Sequence, residues 1–212
     1  NVMSDSSLAF SNSSASSAAI APAAPVPRTA IAKGSVEFKR SNRALFFGGF
    51  STFSLLYCIQ PLFPLLSHQF HLTPAQSSWS LSVSSGLLAI SLVLLSAVSD
   101  RVGRKPLMVA SMFSAAILTI LSAFAQDYAQ LLAIRAALGI ALGGMPAVAM
   151  AYLGEEIEGP SLGLSMGLYI AGSAFGGMSG RLIASMLSDF LSWRWALGVL
   201  GVAGVLAAAE FW

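Results

Sequence analysis

Six apolar windows, at 44–66, 79–98, 106–125, 128–153, 162–187 and 193–212, constrain this chain more than any other feature. A hydrocarbon core about 30 Å thick is crossed by about 20 helical residues rising about 1.5 Å each, and every window meets that length. Composition agrees, since 56% of residues are hydrophobic and only 9% are charged, whereas a soluble domain carries about 25% charged residues. One core of this size cannot hide that much apolar surface, but a bilayer takes it up. Barrel strands would show segments of about ten strictly alternating residues, and the windows do not alternate. Helices satisfy their own backbone groups inside lipid, so they are the expected spanning element. The connections, at 68–78, 99–105, 126–127, 154–161 and 188–192, are short. The expectation is an all-α integral membrane fold of six transmembrane helices over residues 43–212, packed as an antiparallel bundle without a soluble domain.

Residues 1–42 read differently. Ser, Ala and Pro dominate between Ser4 and Pro27, and no run of large apolar residues occurs, which predicts a disordered, solvated tail. A charged start and an apolar stretch of about 7–15 residues, the marks of a secretory signal, are both missing. Asn12-Ser13-Ser14 fits a glycosylation sequon, meaningful only in a secretory compartment. Basic residues set the orientation. Lys33, Lys39, Arg40 and Arg43 precede the first window, and Arg101, Arg104 and Lys105 lie between the second and third, while the opposite flanks hold only Arg194. Both ends of the chain are therefore expected in the cytoplasm, with His68 and His71 in an outer loop. The net charge of +2, from 11 basic and 9 acidic residues, is too small and scattered for a nucleic-acid surface. A single cysteine, Cys58, excludes an intrachain disulfide and two-cysteine metal motifs. The spans hold no paired carboxylates, His cluster or activated nucleophile, and no phosphate-binding glycine loop occurs. The expectation is thus no catalytic residue, no metal and no cofactor.

Three stretches carry more specific signals. Between the second and third windows run Asp100, Arg101, Gly103, Arg104 and Lys105, where a carboxylate, a glycine turn and three cations can form a compact charge network at the membrane surface. A simple positive-inside signal is the alternative. In the fourth window Leu131, Arg135 and Gly139 recur at four-residue spacing, and Arg135 sits about 10 Å along the helix. An intramembrane arginine costs about 2.5–3.5 kcal/mol unless it pairs, faces water or snorkels to the headgroups; a functional role and snorkelling both remain open. In the fifth window Gly163, Gly172, Gly176 and Gly180 permit close helix approach, and Arg181 follows at a cavity mouth or as an interface anchor. Helical spacing places Phe53, Tyr57 and Gln60 on one face, and Met166, Tyr169 and Ser173 on another. Such stripes fit either helix packing or a cavity for a small organic molecule, with Tyr57, Gln60, Met166 and Tyr169 as the candidate contacts.

These motifs resemble the major facilitator superfamily. The loop matches its Gly-x-Leu-x-Asp-Arg-x-Gly-Arg-Lys signature at Asp100, Arg101, Gly103, Arg104 and Lys105, with Ser96 and Val98 in place of the leading Gly and Leu. Leu131, Arg135 and Gly139 match its fourth-helix pattern, where a frequent Gln is Leu138. The glycine spacing follows its antiporter pattern, but Gly177 stands where a proline is usual and Arg181 where the last glycine falls. The resemblance, nearest to bacterial inner-membrane efflux-type members, covers residues 43–212. It implies one half of a twelve-helix transporter, built of two inverted three-helix repeats, with the solute site between halves. It further implies a proton-coupled secondary transporter for small organic solutes, the amino terminus cytoplasmic, with the loop as a conformational switch. The lipid bilayer, the solute, protons and a missing carboxy-terminal half or second copy are then its partners. Without an initial Met, and ending as the sixth window ends, the sequence reads as a fragment. A non-transporting six-helix subunit or inactive truncated remnant is the alternative.

Overall fold

The computed structural model describes residue 31 and residues 34–157 and 159–211, and all the regular structure there is helical apart from one isolated bridge between Ile31 and Ile157. Most of the expected tail, the sequon at Asn12, Lys33 and Glu158 lie outside the described residues. Helix α1 (Val36–Tyr57) begins earlier than the window at 44, because the Ser35 side chain accepts from Phe38 N at 3.0 Å and Glu37 follows in the first turn. It does not run through to residue 66. The chain tightens into a 3-10 turn at Gln60–Leu62 around Pro61, which has no N–H to donate, and resumes as α2 (Phe63–Phe70). His71 closes α2 in a left-handed conformation, φ 53°, so the expected loop at 68–78 shrinks to a few residues, and His68 is helical.

Helix α3 (Pro74–Val102) starts on a reciprocal cap, with Gln76 N donating to Thr73 Oγ1 at 3.2 Å and Thr73 N to Gln76 Oε1 at 2.9 Å. It stops at Gly103, whose φ of 98° is open to glycine and strained for other residues, and α4 (Arg104–Ser122) starts at once. Asp127 caps α5 (Tyr128–Leu142) through a 2.7 Å bond from Gln130 N. The expected single helix over 128–153 is broken at Gly143, and α6 (Gly144–Glu156) continues it, since Pro146 removes the bond to the Leu142 carbonyl. Helices α7 (Gly159–Phe190) and α8 (Trp193–Phe211) follow.

Among the described residues, five helical stretches are long and apolar enough to cross a membrane: Val36–Phe70, Pro74–Val102, Arg104–Ser122, Tyr128–Glu156 and Trp193–Phe211. Helix α7, 32 residues long, is not among them, because glycine and serine dilute its apolar content. It nonetheless exposes Leu164, Ile170, Phe175 and Leu182.

The distribution of polarity is inverted relative to a soluble bundle. The buried residues of α3 are Ser77, Ser80, Ser84, Ser91 and Ser99, all on one face, while Trp79, Ile90, Val93, Leu94 and Val98 point outward. Water would not tolerate that arrangement, whereas lipid favours it, with small hydroxyl residues as helix glue. The hydroxyls are satisfied largely by carbonyls: Ser84 Oγ donates to Ser80 O at 3.0 Å or across to Arg135 O at 2.8 Å. The dominant helix pairs are α1 with α7, α4 with α8, α3 with α5 and α4 with α5. Two apolar clusters fill opposite ends. One, around Leu62, Leu66, Leu131 and Leu197, occupies the end that carries α2; the other, around Leu45, Met108, Leu153 and Ala208, occupies the end where α6 finishes.

Candidate functional site

At the α6 end, the turn at Gly103 brings Arg104 under the last residues of α3. Its Nη2 lies 3.8 Å from Asp100 Oδ1, one helical turn away, and its Nε donates to Glu155 Oε2 at 2.7 Å. A second bond joins Nη2 to Glu155 Oε1, so the guanidinium forks onto the carboxylate and ties the start of α4 to the end of α6. Arg104 is the sheltered member, with a side chain 21% exposed against 73% for Asp100 and 46% for Glu155. The loop motif is therefore a clasp of Asp100, Arg104 and Glu155. Arg101 and Lys105 are exposed and make no ion pair with the described residues. Glu155 belongs to no motif in the sequence; an acidic cluster after the fourth window was its only signal.

Of the two sequence readings of Arg135, the structure removes snorkelling. The residue is fully buried, and it meets no carboxylate among the described residues. Its Nη2 donates to Leu56 O at 2.7 Å, its Nη1 to Leu55 O at 3.3 Å and its Nε to Ser80 O at 3.4 Å. Leu55 and Leu56 form the last turn of α1, where carbonyls run out of intrahelical donors and the helix dipole ends negative. The break before Pro61 thus supplies the acceptors, and Arg135 caps α1 from another helix while bonding α3. Arg194 fastens the turn that follows α4, donating to Ala123 O at 2.9 Å and Ala125 O at 2.7 Å.

Arg181 joins two residues expected to line a cavity. Its Nε donates to Gln60 Oε1 at 2.6 Å, its Nη1 to Gly177 O at 3.3 Å, and its guanidinium lies 4.2 Å from the centroid of the Tyr57 ring. Phe53 stacks beneath Tyr57, with centroids 6.2 Å apart. The structure unites Tyr57, Gln60 and Arg181 at the α2 end of the α1–α7 seam. It does not bring Met166 and Tyr169 to them. Tyr169 is buried in the other cluster, against the backbone of α1 at Gly49, and Met166 packs beside it.

The seam between α1 and α7 is sealed by backbone contact. A Cβ on Gly172 would strike Phe46, one on Gly176 would strike Phe50, and one on Gly180 would strike Ser54, each at the carbonyl oxygen. Gly139 meets the Ser84 backbone in the same way between α5 and α3. Gly163 departs from the sequence expectation, since nothing lies within 4 Å of where its side chain would begin; it sits on the outer side of the first turns of α7, whose Ser161 and Ser165 are buried.

A multi-helix bundle with lipid-facing leucines, serine and glycine seams and a clasped loop defines a multi-pass membrane protein. Residues 45–212 match the family model described as Major Facilitator Superfamily, and the chain belongs to that family. It is similar to the MFS-type transporter YybF of Bacillus subtilis (strain 168), with 46% identity over 183 residues, covering 86% of this chain and 45% of the relative. Similarity to the inner membrane transport protein YnfM of Escherichia coli (strain K12) is 47% over 186 residues, covering 88% and 45%. The multidrug resistance protein MdtG of Proteus mirabilis (strain HI4320) is 30% identical over 162 residues, covering 74% and 40%. The chain spans about half the length of these curated relatives.

Proposed function

We propose that this chain forms one six-helix half of a proton-coupled, efflux-type secondary transporter for small organic solutes in a bacterial inner membrane. The six passes are α1 with α2, α3, α4, α5 with α6, α7, and α8. The helix pairs support two inverted three-helix repeats: exchanging the first three passes for the last three turns the α1–α7 pair into the α3–α5 pair and leaves α4–α8 unchanged. Basic flanks support a cytoplasmic α6 end. Similarity to a protein named for multidrug resistance supports efflux of small organic solutes.

The observation that carries the reading is the Tyr57–Gln60–Arg181 group. An aromatic face beside fixed hydrogen-bonding groups, on a bundle edge that a second six-helix half or second copy would cover, suits an organic solute. The Asp100–Arg104–Glu155 clasp joins passes from the two repeats at the surface, so its role is to set the conformational equilibrium. Described carboxylates sit at the ends of helices or beyond them, and the proton carrier therefore falls to the second half or copy.

Everted vesicles containing the whole transporter provide the test, with extrusion of a panel of fluorescent cationic, neutral and anionic solutes followed before and after a protonophore. Gradient-dependent extrusion of at least one solute is expected. Arg181→Ala should reduce it at least tenfold, and Asp100→Asn should slow turnover while leaving equilibrium solute affinity within the range set by a population shift. Gradient-independent flux, or full transport by Arg181→Ala, would overturn this reading.

A further inference from the structure

Ion-pair accounting at the α6 end leaves two groups of cations. Arg43 is held by Glu210 at 2.9 Å, and Arg104 by Asp100 and Glu155. Arg40 on α1 and Lys105 on α4 have no carboxylate partner among the described residues, yet both line one cavity of about 200 Å³. The hydroxyls of Ser41 and Tyr152, 3.5 Å apart, share that cavity, and Leu45 and Met108 form its apolar floor. Among the described residues, no carboxylate lines it.

Two cations and two hydroxyls around a small recess present donors to an anion with several oxygens, which is the chemistry of a phosphate. The floor adds a second requirement. A free phosphate gains nothing from Leu45 and Met108, whereas a phosphodiester joined to a glycerol and acyl chains covers them with hydrocarbon. The recess also opens at the end of helices that cross the membrane, at headgroup depth. Basic pockets between spans at that level are a recognised home for anionic headgroups.

We infer that the cavity between α1, α4 and α6 binds the phosphodiester of an anionic phospholipid, with Arg40 and Lys105 as its cationic contacts. The site lies beside the Asp100–Arg104–Glu155 clasp, sharing Tyr152 with the recess that the clasp lines. Lipid occupancy therefore braces α4 against α1 next to the switch loop. The inference rests on the membrane-spanning reading of the bundle and not on transport, and its test uses no transport readout.

The purified protein, delipidated in mild detergent, is titrated with phosphatidylglycerol, phosphatidylcholine, glycerol phosphate and inorganic phosphate, and retained adducts are counted by native mass spectrometry. One phosphatidylglycerol should be retained in preference to phosphatidylcholine, and neither soluble phosphate should displace it at millimolar concentration. The double variant Arg40→Ala/Lys105→Ala should weaken retention roughly 10- to 30-fold, on the scale of two surface cations. Arg40→Lys/Lys105→Arg should restore it. A second variant, Lys39→Ala/Arg101→Ala, removes equal charge from residues that do not line the cavity and should keep retention within about twofold. All four side chains are exposed, so folding is not at stake. Equal losses in the two double variants would reduce the effect to general surface charge and overturn the site. Displacement by glycerol phosphate or phosphate would overturn the lipid assignment, and no phosphatidylglycerol preference would overturn both.

Discussion

Arg135 and Arg181 both lie inside apolar helices of this bundle, and neither has a carboxylate partner among the described residues, but their surroundings are opposite. Arg135 is fully enclosed and spends its donors on backbone carbonyls of α1 and α3. Arg181 is partly exposed and held by a side-chain amide, one carbonyl of its own helix and a ring face. Backbone carbonyls cannot rotate away, so the first arrangement is a rigid fastening. An amide and an aromatic ring can re-aim, so the second leaves a cation available to something else. The comparison separates an arginine whose donors are all spent inside the bundle from one that, in the proposed reading, is left to face a solute.

The largest effect expected from breaking this contrast is at Arg135. Replacement by leucine takes the side-chain donor from the Leu56 carbonyl, leaves the Leu55 carbonyl only the Cys58 thiol at 3.2 Å, and removes the tie to Ser80. An unpaired buried acceptor costs about 1–3 kcal/mol, but hydrogen bonds within membranes average nearer 0.6 kcal/mol because the unfolded reference also finds partners. A total of about 2–3 kcal/mol follows for the three bonds. Thermal unfolding in detergent should show the loss, and Arg135→Lys, which keeps the charge but cannot fork, should recover about half of it. A stability unchanged by Arg135→Leu would remove the fastening role.

The seam that supports Arg181 gives the next effect. Gly176→Ala places a methyl on the Phe50 backbone, which cannot yield as a flexible side chain would, and forces α7 away from α1. The cost is about 1–3 kcal/mol, more than the helix propensity of at most about 1 kcal/mol that alanine returns. Gly163→Ala meets open space and should be neutral or stabilising by up to about 1 kcal/mol. Unfolding midpoints of the two variants, measured together, decide whether glycines on this helix are there for approach or by chance. Equal midpoints would contradict a backbone-sealed seam.

Sequence legibility followed the same division. The apolar windows located the helices well, because hydropathy reports what lipid requires regardless of neighbours. The window at 128–153 read as a single helix although it holds Pro146, and the purpose of the break at Pro61 was not legible, since the acceptor pair at Leu55 and Leu56 belongs to α1 and its donor to α5. The serine face of α3 was hidden for a related reason: alternate readings of serine, as cavity lining or as glue, differ only in which helix lies opposite. Helix α7 reads as a span by length, yet its glycines lower its apolar content below that of its neighbours, and only the fit against α1 shows why they are there. Glu155 could not be assigned to the clasp because nothing local distinguishes it from Glu156. The Tyr57–Gln60 stripe was legible as a face, and its union with Arg181 was not, because that depends on the register between α1 and α7.

The smallest expected effect is the one that tests the other side of the comparison. Removing the Arg181 side chain deletes a cation–aromatic contact at 4.2 Å and a bond to the exposed Gln60 amide. A contact of this kind contributes about 0.5–1 kcal/mol at an exposed site, and water or the amide itself can take over the vacated hydrogen bond. Arg181→Ala should therefore shift the unfolding midpoint by well under half the shift of Arg135→Leu, and Gln60→Leu should shift it less still. Both positions lie near the α2 end, where the bundle is already knit by Trp193 Nε1 donating to Gln69 Oε1 at 2.5 Å and by Arg194 on the Ala123 and Ala125 carbonyls just after α4. That independent knitting is why the fold can spare Arg181. If Arg181→Ala instead destabilises the bundle as severely as Arg135→Leu, both arginines are fasteners, and the partly exposed guanidinium loses its proposed role toward a solute.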